Sequence, residues 1–169
     1  SHPPSIGVFS IATNRYADYW MSMARTADES LFPNQEVVLT VFTDRADEIA
    51  KFSRQLARVR VQPIQVPHLG WPEAPLAKFR LLVAHADTFD QDILMHLDAD
   101  MRIPREVQWN LNHGNWPKGI ALVKHPGFRR PSGAARTLLY AQHPGFLTRD
   151  LFRQVREGGR GTWERDRRS

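Results

Sequence analysis

The sequence contains no cysteine, which excludes disulfide frameworks, thiolate zinc sites and cysteine nucleophiles. It also lacks any apolar run near the ~20 residues that a membrane-spanning helix needs, and its first residues lack the basic-then-apolar pattern of a signal peptide. These absences favour a cytoplasmic protein. Hydrophobic residues make up 41% of the 169 residues, an ordinary share for a globular protein, so we expect one domain over residues 1–169.

The net charge of +5 is concentrated near the end of the chain. Residues 147–169 hold seven arginines against four acidic residues and so supply three of the five net charges. Nucleic-acid-binding modules usually add a groove-entering helix or stacking aromatics, and neither signature is found. We therefore expect no nucleic-acid partner. The basic tail fits attraction to diphosphates or peripheral association with an anionic membrane surface.

Apolar periodicity predicts an alternation of strands and helices. Expected strands cover residues 6–12, 37–43, 57–66, 93–97 and 120–124, and expected helices cover 16–30, 46–56, 73–89 and 147–157. The first helix presents an apolar face at i, i+3, i+4 spacing, formed by Tyr16, Tyr19, Trp20, Met23 and Ala27. Alternation of this kind predicts an α/β fold, with a mainly parallel sheet flanked by helices.

The most informative segment is Asp98-Ala99-Asp100, which ends the expected strand over residues 93–97. Two carboxylates this close repel each other unless they share a cation. Oxygen ligands select Mn²⁺ or Mg²⁺, and phosphate oxygens commonly complete the shell of such ions. The alternative interpretation is a strand-ending turn in which an aspartate pairs with Arg102.

Ligands of open α/β sheets gather beyond the carboxyl ends of the strands. We therefore expect residues 12–13, Asp44 and residues 98–100 to face one crevice. Without further information Tyr16 would be interpreted as a core aromatic of the first helix. His85, His96 and His113 fit no compact two-histidine metal motif and are expected to be core or surface residues.

Five short segments, in this order, resemble the family 6 retaining glycosyltransferases, which include blood-group A/B transferase, α1,3-galactosyltransferase and bacterial relatives. They are Ile-Gly-Val-Phe-Ser-Ile-Ala-Thr-Asn-Arg-Tyr at 6–16, Val-Phe-Thr-Asp at 41–44, Gly-Trp-Pro-Glu-Ala at 70–74 running on to Lys78, Asp-Ala-Asp-Met at 98–101, and His-Pro-Gly-Phe at 125–128. The match resumes at 161–165, and residues 129–159 look like an insertion relative to the animal enzymes. The resemblance implies a GT-A-like, Rossmann-like fold that is incomplete at its C-terminus.

The resemblance also implies a set of donor-binding residues. Ile11, Ala12, Thr13 and Tyr16 would contact the uracil and ribose, with Tyr16 stacking on the base. Trp71 would lie in a loop over the donor. Lys78 would contact the donor nucleotide, at a position where the family usually has arginine. The Asp98-Ala99-Asp100 segment would bind the donor, with Asp98 and Asp100 holding Mn²⁺ (or Mg²⁺).

The implied activity is metal-dependent transfer of galactose or N-acetylgalactosamine from a UDP-sugar, with retention, to a galactoside of a glycan or glycolipid in α1,3 linkage. The family's catalytic glutamate and acceptor half have no counterpart in this chain, so the catalytic residue is unassigned and we expect the donor-binding portion of a bacterial-type enzyme. Two alternatives stay open. One is a non-catalytic UDP-sugar-binding module or truncated homologue, and the other is a metal-dependent phosphohydrolase, which needs further carboxylates.

Overall fold

The computed structural model describes residues 2–70 and 73–109, which form four strands and three α-helices. The elements are β1 (Ile6–Ile11), α1 (Tyr16–Ser30), β2 (Val37–Thr43), α2 (Ala46–Ser53), β3 (Arg60–Gln65), α3 (Glu73–Ala84), a 3-10 turn (Ala86–Thr88) and β4 (Ile93–His96). The predicted strand at 120–124 and helix at 147–157 lie outside the described residues. No helix in the described part of the chain is long and apolar enough to cross a membrane.

The chain divides into two compact units. The first consists of residues 1–78 and 88–110 and contains the whole described sheet, α1, α2 and the first half of α3. The second consists of residues 79–87 and 111–169, of which the structure describes only 79–87, the end of α3 and the beginning of the 3-10 turn. The prediction of one domain over the whole chain stays a prediction.

The four described strands form one parallel sheet in the order β3-β2-β1-β4. At the beginning of β1, Ile6 pairs with Val37 of β2 and Ile93 of β4, and Phe9 pairs with His96 near the end of β4. Both β1 and β2 are buried along nearly their whole length, which explains their unbroken apolar runs, because a strand covered on both faces does not alternate. The predicted α/β class and mainly parallel sheet are confirmed.

Several predicted boundaries differ from the observed ones. Pro63 lies within β3, which is an edge strand of the described sheet, where a missing backbone N–H is tolerated. The strand begins at Arg60 rather than at residue 57, because the preceding backbone N–H groups bind a carboxylate on α1. α3 ends at Ala84, five residues earlier than predicted, and the 3-10 turn follows.

The predicted apolar face of α1 is correct in its middle and wrong at its beginning. Trp20, Met23 and Ala27 are completely buried, together with Ala17, Ala24 and the following Leu31. Tyr16 and Tyr19 are instead 43% and 48% exposed, and their rings pack edge to face with centroids 5.5 Å apart. Ala17 fills the buried position of the first turn, which leaves both tyrosines on its exposed flank.

The C-terminal end of α1 is capped by Arg58, which lies outside the helix. The three guanidinium nitrogens of Arg58 donate to carbonyl oxygens of the last turn of α1 and of the residues that follow it. The donor–acceptor distances are 2.6 to 3.3 Å, and the acceptors are Ala27, Asp28, Leu31 and Phe32. Carbonyl groups at a helix C-terminus lack intrahelical partners, and a cation there also interacts favourably with the helix dipole. Arg58 therefore stabilises the end of α1 and fixes the segment before β3 against it.

The carboxylate of Asp28 makes the reciprocal contact. It accepts the backbone N–H groups of Ala57, Arg58 and Val59 at 2.9, 2.7 and 2.8 Å. Burial by itself would raise the pKa of Asp28, but these three hydrogen bonds and the charge of Arg58 outweigh it and hold the pKa below its usual value. The charged form is thus favoured in the folded protein.

We predict that Asp28→Asn lowers the free energy of unfolding by about 1–3 kcal/mol at pH 7, because an amide cannot accept all three N–H groups. Urea denaturation measures the difference. Because the folded pKa of Asp28 is depressed, its contribution is complete above 3.8, its ordinary value, and is lost as pH falls through the folded value. Wild type and variant should therefore converge in acid. The control is Glu29→Gln, an exposed neighbour on α1, and an equal loss in both variants would contradict the prediction.

Candidate functional site

The loops that follow the four described strands meet at one edge of the sheet, because parallel strands place their carboxyl ends together. Hydrogen bonds continue past the strand ends: Ala12 N donates to Phe42 O at 2.8 Å, and Leu97 N donates to Phe9 O at 3.2 Å. The segments expected to share a crevice, residues 12–13, Asp44 and residues 98–100, all follow these strand ends.

This edge contains a topological switch point. From β1 the chain moves outward to β2 and β3 on one side, and then returns to form β4 on the other side. The loops after β1 and β4 therefore diverge, and ligands of open α/β sheets bind in the crevice at such a point. Residues 12–15 and 97–101 are the segments that flank it.

Asp98 and Asp100 are both exposed at the switch point, and the Asp98 side chain is 70% exposed. Ala99 between them is buried, and Met101 N donates to Asp98 O at 3.2 Å, so the backbone forms a turn. Arg102 donates to the Ser22 hydroxyl at 3.4 Å. Because the turn is closed by backbone atoms, the carboxylates of Asp98 and Asp100 stay exposed. A turn at these residues is therefore compatible with a cation site.

His96 lies near Asp98, and the charge of Lys78 acts on His96. The Nε2 of His96 is 3.8 Å from Oδ1 of Asp98, which is too long for a hydrogen bond. The pKa of His96 is lowered to about 4, first by burial and then by the charge of Lys78, while the charge of Asp98 acts in the opposite direction. His96 is therefore neutral at pH 7. The half-buried Lys78 is within electrostatic reach of the end of β4.

Side chains connect the loops on the other side of β1. The Thr13 hydroxyl donates to Leu69 O at 3.0 Å and accepts from Leu69 N at 3.3 Å. Asp44 accepts the N–H of Asn14 at 2.8 Å, and its second oxygen is 3.6 Å from Nδ1 of His68. Asn14 has a φ of 53°, a left-handed conformation that asparagine tolerates better than most residues. The loops after β1, β2 and β3 are thereby tied together.

The N-terminus of α1 does not offer free amides to a phosphate. The backbone N–H groups of Tyr16, Ala17 and Asp18 each donate at 3.1 Å to the carbonyl oxygen three residues earlier. In glycine-rich phosphate loops such groups point at the ligand instead. Arg45 is also engaged, because its guanidinium binds both Asp18 and Glu48. An anion at this edge would therefore depend on other side chains.

The structure places the predicted site residues in three different environments. Asp98, Asp100 and Tyr16 are exposed, which makes the core interpretation of Tyr16 wrong. The half-buried residues are Ile11 and Lys78, and the buried ones are Ala12, Thr13 and Ala99. Trp71 lies outside the described residues. Asp98, Ala99 and Asp100 follow β4, and Lys78 is within electrostatic reach of His96 at the end of that strand. Ile11 ends β1, and Ala12, Thr13 and Tyr16 follow it.

Sequence reasoning missed Arg15 and the contacts of residues 68–69. Arg15 is exposed, and its guanidinium carbon lies 5.8 Å from the ring centroid of Tyr16, within cation–π range. The sequence contained one indication of this contact, because Arg15 directly precedes Tyr16, which the resemblance assigned to stacking on the base. The contacts of Thr13 with Leu69 and of Asp44 with His68 had no local signal, because they join positions far apart in the sequence.

Among residues 2–70 and 73–109, no group of three or more histidine or acidic residues is arranged to hold a metal ion. The two-carboxylate site at Asp98 and Asp100 stays a prediction; Mg²⁺ and similar ions often bind through one or two carboxylates together with substrate phosphates. Comparisons of the chain with models of known families and with curated proteins gave no match. The resemblance to family 6 glycosyltransferases therefore stays a prediction from the quoted segments.

We predict that the His96 ring titrates near 4 rather than near 6.5 when its pKa is measured by NMR in the presence of EDTA. Lys78→Ala should raise this pKa by removing a repulsive charge, and Asp98→Asn should lower it further. The unfolded chain binds a proton at His96 at higher pH than the folded protein does. Protonation of His96 should therefore lower the free energy of unfolding as pH falls from 6.5 towards 4. A wild-type ring that titrates near 6.5 would contradict the prediction.

Proposed function

We propose that this chain binds a UDP-sugar together with Mn²⁺ or Mg²⁺ at the switch point, as the donor-binding portion of a metal-dependent retaining glycosyltransferase. The reaction would transfer galactose or N-acetylgalactosamine to a galactoside acceptor in α1,3 linkage. The observation that carries the proposal is the exposed pair Asp98 and Asp100 at the carboxyl edge, with Lys78 within electrostatic reach. The sugar, the linkage and the retention follow from the resemblance of the quoted segments.

Asp98 and Asp100 are suited to hold a hard cation. Their carboxylates supply the oxygen donors that such ions prefer, and their exposure leaves room for diphosphate oxygens to complete the shell. When bound, the ion would neutralise charge on the departing diphosphate as a Lewis acid. Without a ligand, two close carboxylates repel each other, so ion and diphosphate should bind together.

Lys78 and Tyr16 are suited to bind the rest of the nucleotide. The Lys78 ammonium acts on His96, two residues before Asp98, so it supplies positive charge near the proposed diphosphate position, and such stabilisation is strongest where negative charge develops. Tyr16 presents an exposed ring at the beginning of α1, and the guanidinium of Arg15 lies near that ring. The exposed ring of Tyr16 suits stacking on a nucleotide base, and the nearby guanidinium of Arg15 suits contact with the phosphates joined to that base.

One observation favours the non-catalytic module as a second candidate. Several carboxylates at the described carboxyl edge already have partners: Asp44 binds the loop after β1, and Asp18 and Glu48 bind Arg45. Asp98 and Asp100 are the proposed cation ligands. In a radiolabelled assay with UDP-galactose and a galactoside, transfer by this chain would contradict the non-catalytic module, whereas binding without transfer is expected both of that module and of a donor-binding portion.

We predict that UDP binds at least about tenfold more tightly with Mn²⁺ than with EDTA, a difference of ~1.4 kcal/mol. Isothermal titration calorimetry measures both affinities. Asp98→Asn and Asp100→Asn should each remove most of the metal effect, because each loses a charged oxygen ligand. The matched control is Asp90→Asn, which changes an exposed aspartate before β4, at the opposite edge of the sheet, and should leave the metal effect intact. Equal affinity with Mn²⁺ and with EDTA would refute the proposed function.

We also predict that Lys78→Ala weakens UDP binding by about 1–2 kcal/mol, the scale of a charge-assisted contact. Lys78→Arg should preserve the affinity, because it keeps the charge. Lys51→Ala, an exposed lysine on α2, is the control and should have little effect. Neutralising Arg165, Arg167 and Arg168, which lie outside the described residues, should change affinity by less than about 0.5 kcal/mol at physiological salt. Loss of binding in this tail variant but not in Lys78→Ala would contradict the assignment.

A further inference from the structure

The hydroxyl of Thr13 both donates and accepts a hydrogen bond within the protein. The residue is only 4% exposed, and its Oγ1 donates to the carbonyl of Leu69 while accepting from the amide of the same residue. Both backbone groups of one loop residue are thus held by a side chain 56 positions away. A buried hydroxyl that is satisfied in this way is poorly suited to contact a nucleotide directly.

The anchored loop leads directly into α3. Val66 N donates to Thr43 O at 2.9 Å, which fixes the beginning of the loop to the end of β2. Gly70, the residue after Leu69, accepts a hydrogen bond from Ala74 N at 2.9 Å, and this bond closes the first turn of the helix. Lys78 lies one turn further along α3. The position of Leu69 therefore determines where the turn that carries Lys78 begins.

A second contact holds the same loop less firmly. His68 lies 3.6 Å from Asp44, but it is more than half exposed, so water competes for both groups. The Thr13 contact is partly buried, because Thr13 is buried and Leu69 half-buried, and breaking it would leave the Leu69 carbonyl and amide without this partner. Of the two side-chain contacts to residues 68–69, the one from Thr13 is the more costly to lose.

We propose that Thr13 is a positioning residue: its hydroxyl fixes the 66–70 loop to the end of β1 and thereby keeps Lys78 within electrostatic reach of His96 at the end of β4, for binding of a nucleoside diphosphate. The role assigned to Lys78 rests on the proposed function, whereas the anchoring of the loop does not. Thr13 thus acts on the ligand through Leu69 and α3 rather than by touching it.

Two matched pairs of variants test the hydroxyl without a change of shape. Thr13 and Thr13→Val differ in one hydroxyl, and so do Thr13→Ser and Thr13→Ala, which keeps the test available if the valine variant does not fold. Amide hydrogen exchange of Leu69 reports the anchor, and Val8 in β1 reports global stability. Titration of UDP with Mn²⁺ reports the position of Lys78.

We expect the Leu69 amide to exchange about tenfold or more faster in Thr13→Val and Thr13→Ala, with UDP affinity reduced severalfold. Thr13→Ser should retain slow exchange and wild-type affinity. The Val8 amide should change far less than Leu69 in all variants. Unchanged Leu69 exchange in Thr13→Val and Thr13→Ala would overturn the proposal, as would faster exchange with unchanged affinity. If wild type itself binds no UDP, the proposed function fails, while the exchange of Leu69 still decides whether Thr13 is the anchor.

Discussion

The pairing of β1 with both β2 and β4 is the constraint on which the described site depends. β1 is central in the described sheet and parallel to both neighbours, so every loop that follows a strand must return to the same edge. Gly7 shows how closely β1 is covered: a Cβ there would lie 2.6 Å from Gln91 Oε1 and 2.7 Å from Leu94 Cδ2. Side chains of Gln91 and Leu94 thus occupy the space that glycine leaves, and this packing holds the beginning of β4 beside the beginning of β1, at the edge opposite the switch point.

Local sequence signals were sufficient for the elements that carry the sheet. The helix Tyr16–Ser30 and the strand Val37–Thr43 have the bounds that periodicity predicted, because helix breakers and a change of hydrophobic period mark their ends within the sequence itself. The alternation of strands and helices then determined the parallel arrangement, since right-handed crossovers leave few other topologies. The convergence of Asp44 with Asp98 and Asp100 at one edge follows from that arrangement alone.

The features that sequence could not supply depend on contacts between distant positions. Arg58 and Asp28 are 30 residues apart, and nothing near Arg58 indicates that it caps a helix. The exposure of Tyr16 could not be predicted from its spacing, because spacing defines a helix face but not how far along the helix that face is covered. Thr13 belongs to the same class: the resemblance suggested a nucleotide contact, whereas the structure shows its hydroxyl bound to a loop.

The electrostatics of the described edge explain why a cation is central to the proposed function. A glycine-rich loop can bind diphosphate with backbone amides alone, but the first amides of α1 are already bonded to the turn before it. The guanidinium of Arg45 is already paired with the carboxylates of Asp18 and Glu48. At the end of β4, the exposed carboxylates of Asp98 and Asp100 outnumber the single charge of Lys78, so these three side chains together are negative and would repel a polyanion. A divalent ion reverses that balance, whereas Lys78 cannot do so by itself. The same repulsion that makes adjacent carboxylates unfavourable in the free protein is what would make binding of the nucleotide conditional on the metal.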